Sequence, residues 1–303
     1  MYNKMDTECS QSYEYDLGEK KIAYIYQNDL KYIKHNDIDI TKVKDLPKDY
    51  DFSTIENRIN DCIKNNYELL DLNHLELNEL PIIIQQHSHL HNIKYLFLSN
   101  NNIENITNLA YFKHLTVIDL ANNKLSSIPN LPGTIEELTI KNNKISHEHL
   151  DKYKFLKRLD ISNNKLNNIS VIDSLEILIC DDNNLATISK YPKLKKLSCE
   201  RNNIKTIYPS PHLKIIGCEE NNITTIMNFP KLRELYCNDN EITTINELPL
   251  INILYCIHNK INTIEYFPTL RELVCDYRSS ISIANMYNVK NSHDYDNYIC
   301  ITF

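Results

Sequence analysis

The 303-residue sequence contains no tryptophan and only three glycines. Gly18, Gly133 and Gly217 are too scattered to build a phosphate-cradling loop, since neither G-x-G-x-x-G nor G-x-x-x-x-G-K-[ST] can be written. Nucleotide binding by those routes is excluded. A basic excess is also missing: 33 Lys and Arg stand against 40 Asp and Glu, a net charge of -7. A general nucleic-acid binder needs a basic footprint to displace counterions, so nucleic acid is not an expected partner. No apolar run approaches the ~20 residues of a membrane span. The opening MYNKMDTECSQSYEYD lacks the basic and apolar regions of a signal peptide. The expectation is a cytoplasmic, reducing location with no membrane contact.

What the chain does have is a period. Cys180, Cys199, Cys218, Cys237, Cys256 and Cys275 follow one another at nineteen-residue steps, each inside the phrase Leu-x-x-Leu-x-Cys-x-x-Asn-x-Ile-x-x-Ile. The phrase reads cleanly at Leu232, Leu235, Cys237, Asn240, Ile242 and Ile245. A fixed period of this kind means one structural unit stacked on itself. The asparagine column runs further, through Asn101, Asn123, Asn143, Asn164, Asn183, Asn202, Asn221, Asn240 and Asn259. Upstream, Leu70, Leu72, Leu75, Leu77 and Leu80 keep the frame, with Leu75 standing at the asparagine position. Downstream, Leu270, Leu273 and Cys275 keep it, while Arg278 and Ser280 replace the Asn and Ile. Both ends degenerate, as capping coils do.

These columns resemble the leucine-rich repeat family, L-x-x-L-x-L-x-x-N/C-x-L. The units are short, about 19–22 residues, similar to those of short-repeat bacterial effectors and of leucine-rich repeat proteins from large DNA viruses. The resemblance implies an α/β repeat solenoid, a right-handed superhelix with a parallel concave β-sheet and a helix-poor, extended convex side. It also implies that each column asparagine bonds backbone groups of its own turn and of the neighbouring coil. Strand alternation points Leu235 and Cys237 inward and Glu234, Tyr236 and Asn238 outward. At a strand spacing of ~4.8 Å, eleven coils span roughly 50 Å. A proline column, Pro192, Pro211, Pro230, Pro249 and Pro268, precedes successive strands and predicts an extended or polyproline-like return.

Four segments follow from this frame: 1–50, of uncertain fold; 51–66, a helical N-terminal cap; 67–283, the solenoid of about 10–11 coils; and 284–303, a C-terminal cap or tail. Ser53-Thr54-Ile55-Glu56 reads as a capping box with Ser53 as N-cap, and Ile55, Ile59, Cys62 and Ile63 recur at helical spacing. Lys20–Tyr26 and Lys31–Lys34 around Asn28-Asp29 suit a hairpin.

Nine cysteines raise the question of disulfides or metal. Each column thiol replaces an inward leucine, where free cysteine acts as a small buried hydrophobe. In-register side chains on adjacent strands stay ~4.8 Å apart, beyond the usual ~3.5–4.5 Å between Cβ atoms of a disulfide. The column is read as a reduced structural ladder. His87, His89 and His91 alternate as ligands on a strand would, but they fall in a connection and lack a thiol or carboxylate partner at fixed spacing. His147-Glu148-His149 is not an i, i+4 zincin pattern. No catalytic residue, cofactor or metal site is assigned.

The outward positions beside the cysteines carry more. Asp181, Asp182, Glu200, Glu219, Glu220, Tyr236, Asp239 and Tyr255 place acids beside aromatics on the expected concave face. In a chain of this charge any exposed face carries acids. The sharper reading is a groove for the basic segment of a protein partner, with the tyrosines as anchors. The expected function is a non-enzymatic protein-binding module, monomeric by default. The alternatives are an effector that recruits or carries ubiquitin-ligase-type activity, and a structural or particle component.

Overall fold

The computed structural model describes residues 22–25, 30–34, 54–107, 109–264, 266–276, 280–281, 291–294 and 298–302. The chain divides into two units, Met1–Asp51 and Phe52–Phe303. In the first, Ile22–Ile25 pairs antiparallel with Leu30–Lys34, with a register irregularity between Ile22 and Ala23. Ser53, Arg278 and the Asn28-Asp29 turn lie outside the described residues.

The second unit starts with a helix, Ile55–Asn65. Its N-cap is Thr54 rather than Ser53: extended backbone at Thr54 lets its Oγ1 accept the Asn57 N–H at 3.2 Å. Capping needs only a hydroxyl one residue ahead of helical backbone, and Ser-Thr offers two. Asn66 closes the helix in left-handed conformation, φ 51°, where asparagine is tolerated. Ile59 and Cys62 are buried on the inner face. The Arg58 guanidinium donates to the carbonyls of Asp71 and Asn73 at 3.3 and 3.1 Å, so the helix also satisfies acceptors beside the first strand.

Eleven short parallel strands then stack side by side, from Leu69–Asp71 to Glu272–Asp276. The register is in frame throughout: Leu70, Leu96, Ile118, Leu138 and Leu159 form one line, continued by Leu178, Leu197, Ile216, Leu235, Leu254 and Leu273. Every member of that line is buried. A single coil cannot bury its apolar edge, whereas stacked coils share one continuous core. Two further strands turn the sheet antiparallel at its C-terminal end: Tyr298–Thr302 pairs with Glu272–Asp276, and Asn291–Asp294 pairs with Tyr298–Thr302. Ile301 is buried there.

The returns vary with coil length. The first return holds two short helical turns, Ile83–Gln86 and Ser88–Asn92, and the second holds Leu109–Tyr111. A helical turn takes up more residues per ångström than a strand does, which suits these longer coils. The nineteen-residue coils lack that slack and run extended, forming small parallel ladders such as Thr225–Met227 with Thr244–Asn246. The expectation of a polyproline-like return needs correction at the prolines themselves. Pro211, Pro230, Pro249 and Pro268 follow the acceptor in turns closed by Leu213 to Ser210, Leu232 to Phe229, Ile251 to Leu248 and Leu270 to Phe267. The fixed φ of proline suits the second position of a β-turn, so the column marks the corner into the next strand.

Candidate partner-binding face

The asparagine column holds the scaffold. Asn240 Nδ2 donates to the Cys218 carbonyl one coil back at 2.9 Å, and to Cys237 and Asn238 of its own turn at 3.2 and 3.1 Å. Its Oδ1 accepts the Ile223 N–H at 3.0 Å. Asn123, Asn164, Asn183, Asn202 and Asn221 repeat the pattern. One amide therefore bonds four backbone groups of two coils; for Asn240 each of the three carbonyls is shared with a second donor, from Asn221, Asn259 and the Glu220 N–H. Leu75 breaks the column, and the next coil compensates: Asn101 Oδ1 accepts from both Leu75 and Leu77 N–H.

Behind the strands the six column cysteines are buried and free. The Cys180, Cys199 and Cys237 thiols each point to the carbonyl of the next strand, at 3.4, 3.5 and 3.2 Å. Burial raises every one of these thiols above its ordinary value. Thiolate is the reactive form, so these sulfurs are inert in the fold.

The eight outward residues singled out in the sequence separate into two sets. Asp181, Glu200 and Glu219 stand in one line on successive coils, just past the strand ends, each half-buried. Asp181 is tied down: its Oδ1 accepts from Ser198 Oγ and from the Glu200 N–H, both at 2.8 Å. Burial, followed by the charge of Glu200, raises the carboxyls of Asp181 to about 6 and Glu219 to about 7. Asn238 continues the line, and its buried side chain donates to Glu219 Oε1 while accepting the Ile257 N–H at 2.9 Å. Tyr236 and Tyr255 sit on adjacent strands in matching register, with ring centroids 5.3 Å apart in an edge-to-face pair. Their hydroxyls donate to Glu234 Oε2, at 3.4 Å, and to Glu272 Oε1.

Asp182, Glu220 and Asp239 lie off the strands, on a rim of left-handed residues. The residue ahead of each column asparagine has positive φ: Asn100, Asn122, Asn142, Asn163, Asp182, Arg201, Glu220, Asp239 and His258, between 48° and 57°. The cause is the sharp exit from the strand, and none of the nine is glycine. Their side chains pair along the rim. Arg201 grips both oxygens of Asp182 at 2.8 and 3.0 Å and reaches Glu220 at 3.8 Å; His258 meets Asp239 at 2.8 Å. Arg201 also donates to Glu200 Oε2 at 3.0 Å, so this one guanidinium counters acids both on the rim and in the strand-face line.

Sequence reading missed Glu234 and Glu272, whose carboxylates fix the two phenols. The signal was present, since the frame places both on the first outward position of their strands, in line with Ile253. His87 and His91 do not share a strand face: Ser88–Asn92 is a helical turn, and the His91 ring stacks on Tyr111 with centroids 5.8 Å apart. Glu148 is buried and accepts from the Leu150 and Ser170 N–H groups. Among the described residues, no cluster of three or more His, Cys, Asp or Glu is placed to hold a metal ion, and no helix is long and apolar enough to cross a membrane.

With this geometry in place, comparison with known proteins is informative. Residues 91–133 match the family model for leucine rich repeats, in two copies. No curated protein sequence matches the chain. Among solved structures, YopM from Yersinia enterocolitica WA-314 is similar at TM-score 0.56 and 22% identity, over 71% of this chain and 52% of that one. The present chain thus aligns with about half the length of that structure. YopM from Yersinia pestis, a leucine-rich effector protein, gives 0.54 and 21%, over 78% and 85%. A structure of the LRIM1/APL1C complex gives 0.53 and 21%, over 70% and 50%. Together, the in-frame columns and the stacked parallel strands define a leucine-rich repeat solenoid. The chain has the leucine-rich repeat fold.

Proposed function

We propose that the chain is a non-enzymatic module that binds a protein partner through its concave strand face. The similar structures are of leucine-rich repeat proteins, one of them solved in complex with a protein, which supports a protein partner. The finer reading is a basic segment of that partner, laid across the C-terminal half of the face. One observation carries it. From Ile215–Gly217 to Glu272–Asp276 the outward positions include Glu219, Glu234, Tyr236, Tyr255, Glu272 and Asp276, with no lysine or arginine. Like charges facing one way repel a wrong partner and steer a complementary one. A monomer acting in the reducing cytoplasm completes the proposal, in keeping with six unpaired thiols in the column.

Charge reversal at Glu219 and Glu220, followed by affinity purification and mass spectrometry, tests the face. The expected result is loss of the partner by a protein that still unfolds cooperatively. An identical set of partners counts against the proposal.

A further inference from the structure

The residue just before each strand forms a column of its own. Each N–H of that column donates to the carbonyl one coil back, which holds Glu136, Lys157, Glu176, Lys195, Lys214 and Arg233 in line through bonds of 2.8 Å. Up to Lys195 the lysines pair with the glutamate of an adjacent coil: Lys94 with Glu68 at 2.8 Å, Lys157 with Glu136 at 2.7 Å, and Lys195 with Glu176 at 2.6 Å. Then the alternation stops. Lys195, Lys214 and Arg233 follow one another, and exposed Lys214 and Arg233 make no ion pair among the described residues. Two positions earlier on the same three coils stand Lys193, His212 and Lys231, all exposed. Lys231 Nζ donates to His212 Nδ1 at 2.9 Å, so its partner is an uncharged imidazole rather than a carboxylate. Like charges opposite one another on neighbouring strands cost stability. The fold does not require this run, since the earlier coils solve the same position with pairs of opposite sign.

We propose that this basic edge docks a short acidic segment of a protein partner, its carboxylates answering the two rows of cations. The proposal uses none of the strand-face acids and goes beyond the basic-segment reading above. With coils ~4.8 Å apart, the three coils give a patch roughly 10 Å long, which a few residues of extended chain can cover. Charge complementarity selects the occupant: the patch gathers basic side chains in two rows with Glu176 as the one acid paired to them. Nucleic acid suits it less, because its charge continues past the patch and meets exposed Asp173 and Glu176 on the coil before, in a chain of net charge -7. A bilayer suits it less, because neither row has an apolar side chain on these coils to enter one.

The test titrates fluorescein-labelled nonaglutamate with the full chain by fluorescence anisotropy, beside a labelled oligothymidylate of equal length and phosphatidylserine vesicles. Nonaglutamate should bind, and Lys214→Ala, Lys231→Ala and Arg233→Ala combined should weaken it roughly tenfold. Lys124, Lys144 and Lys165 form a single exposed row on other coils. Changing those three to alanine removes the same charge and should leave nonaglutamate affinity within about twofold, because distant charges are screened. No binding of nonaglutamate, or equal loss in both triple variants, overturns the proposal. Tighter binding of oligothymidylate or of vesicles, lost in the first variant, overturns it in favour of that partner. Lys214→Glu separates docking from a structural role, since it continues the alternation between Lys195 and Arg233. Its melting temperature should hold or rise while nonaglutamate binding falls; binding that survives the change sinks the proposal. The basic-segment reading stands or falls separately, on charge reversal at Glu219 and Glu220.

Discussion

At the scale of single residues, burial sets the chemistry. Cys237 is fully buried, and its thiol meets the Tyr255 carbonyl, which also accepts the Cys237 N–H at 2.8 Å. Cys237→Ser should therefore cost of order 1–3 kcal/mol in a denaturant melt, because a more polar group replaces a polarisable one in the core. Rapid alkylation of the folded protein's column thiols would contradict this account. The outward acids show the opposite sign of burial's effect on stability. Asp181 and Glu219 are raised to about 6 and about 7, against ordinary carboxylates near 4 in the unfolded chain. The folded state holds the extra protons between those values. The stability these groups contribute is fully present below about pH 4 and is lost as pH rises through 6 and 7. Between pH 5 and pH 8 the melting temperature should fall, and Asp181→Asn combined with Glu219→Gln should flatten that slope. A slope untouched by the double variant would reject the assignment.

The coil is the next scale, and the asparagine is its joint. Asn240→Leu strands the Ile223 N–H, at about 1–3 kcal/mol, takes one of two donors from each of the Cys218, Cys237 and Asn238 carbonyls, and puts a bulkier apolar group in the joint. Loss of protection should be local, with hydrogen exchange accelerated in the coils on either side of Asn240 and unchanged near Leu96. Uniform acceleration along the solenoid would contradict a joint. The joint's existence was legible in the sequence because an asparagine recurs at the same place in the repeat phrase, at steps of 19 to 22 residues. The left-handed residue before it was not. Asn100, Asn122, Asn142, Asn163, Asp182, Asp239 and His258 are of types that tolerate that conformation, but Arg201 and Glu220 give no such signal. There the sharp turn overrides local preference, because the stacked coils on both sides fix the backbone. The proline corners were likewise misread as extended, since fixed φ alone fits both conformations.

Among the described strands of the solenoid, pairing runs between neighbouring coils, so stability resembles a chain of nearest-neighbour terms with two ends. Each end is covered. The helix Ile55–Asn65 places Ile59 and Cys62 beside the first coil, and Tyr298–Thr302 hydrogen-bonds along the last parallel strand. An uncovered parallel edge would present unpaired backbone groups to other chains. Removing residues 284–303 should therefore fray the C-terminal coil first. Cys275 should then become open to alkylation while Cys199 stays protected, and the protein should gain a tendency to associate on size-exclusion chromatography. Simultaneous exposure of Cys275 and Cys199 would show that the array unfolds as one unit instead.

The sequence by itself determined the repeat, the inward columns, the bonding joint and the face that looks outward. It could do so because a repeated phrase, settling to a nineteen-residue period from Cys180 onward, brings similar side chains to the same place on successive turns. The tertiary structure alone decided what stands beside what. Stacking in register put Asp181, Glu200 and Glu219 in one line, turned Asp182 and Asp239 into a paired rim, and set Tyr236 edge-to-face with Tyr255. Those pairings depend on lateral distances of one coil, across residues far apart in the chain. Where residues recur in the same frame, the sequence marks the position; the packing of neighbouring coils settles which charges are countered and which remain open to a partner.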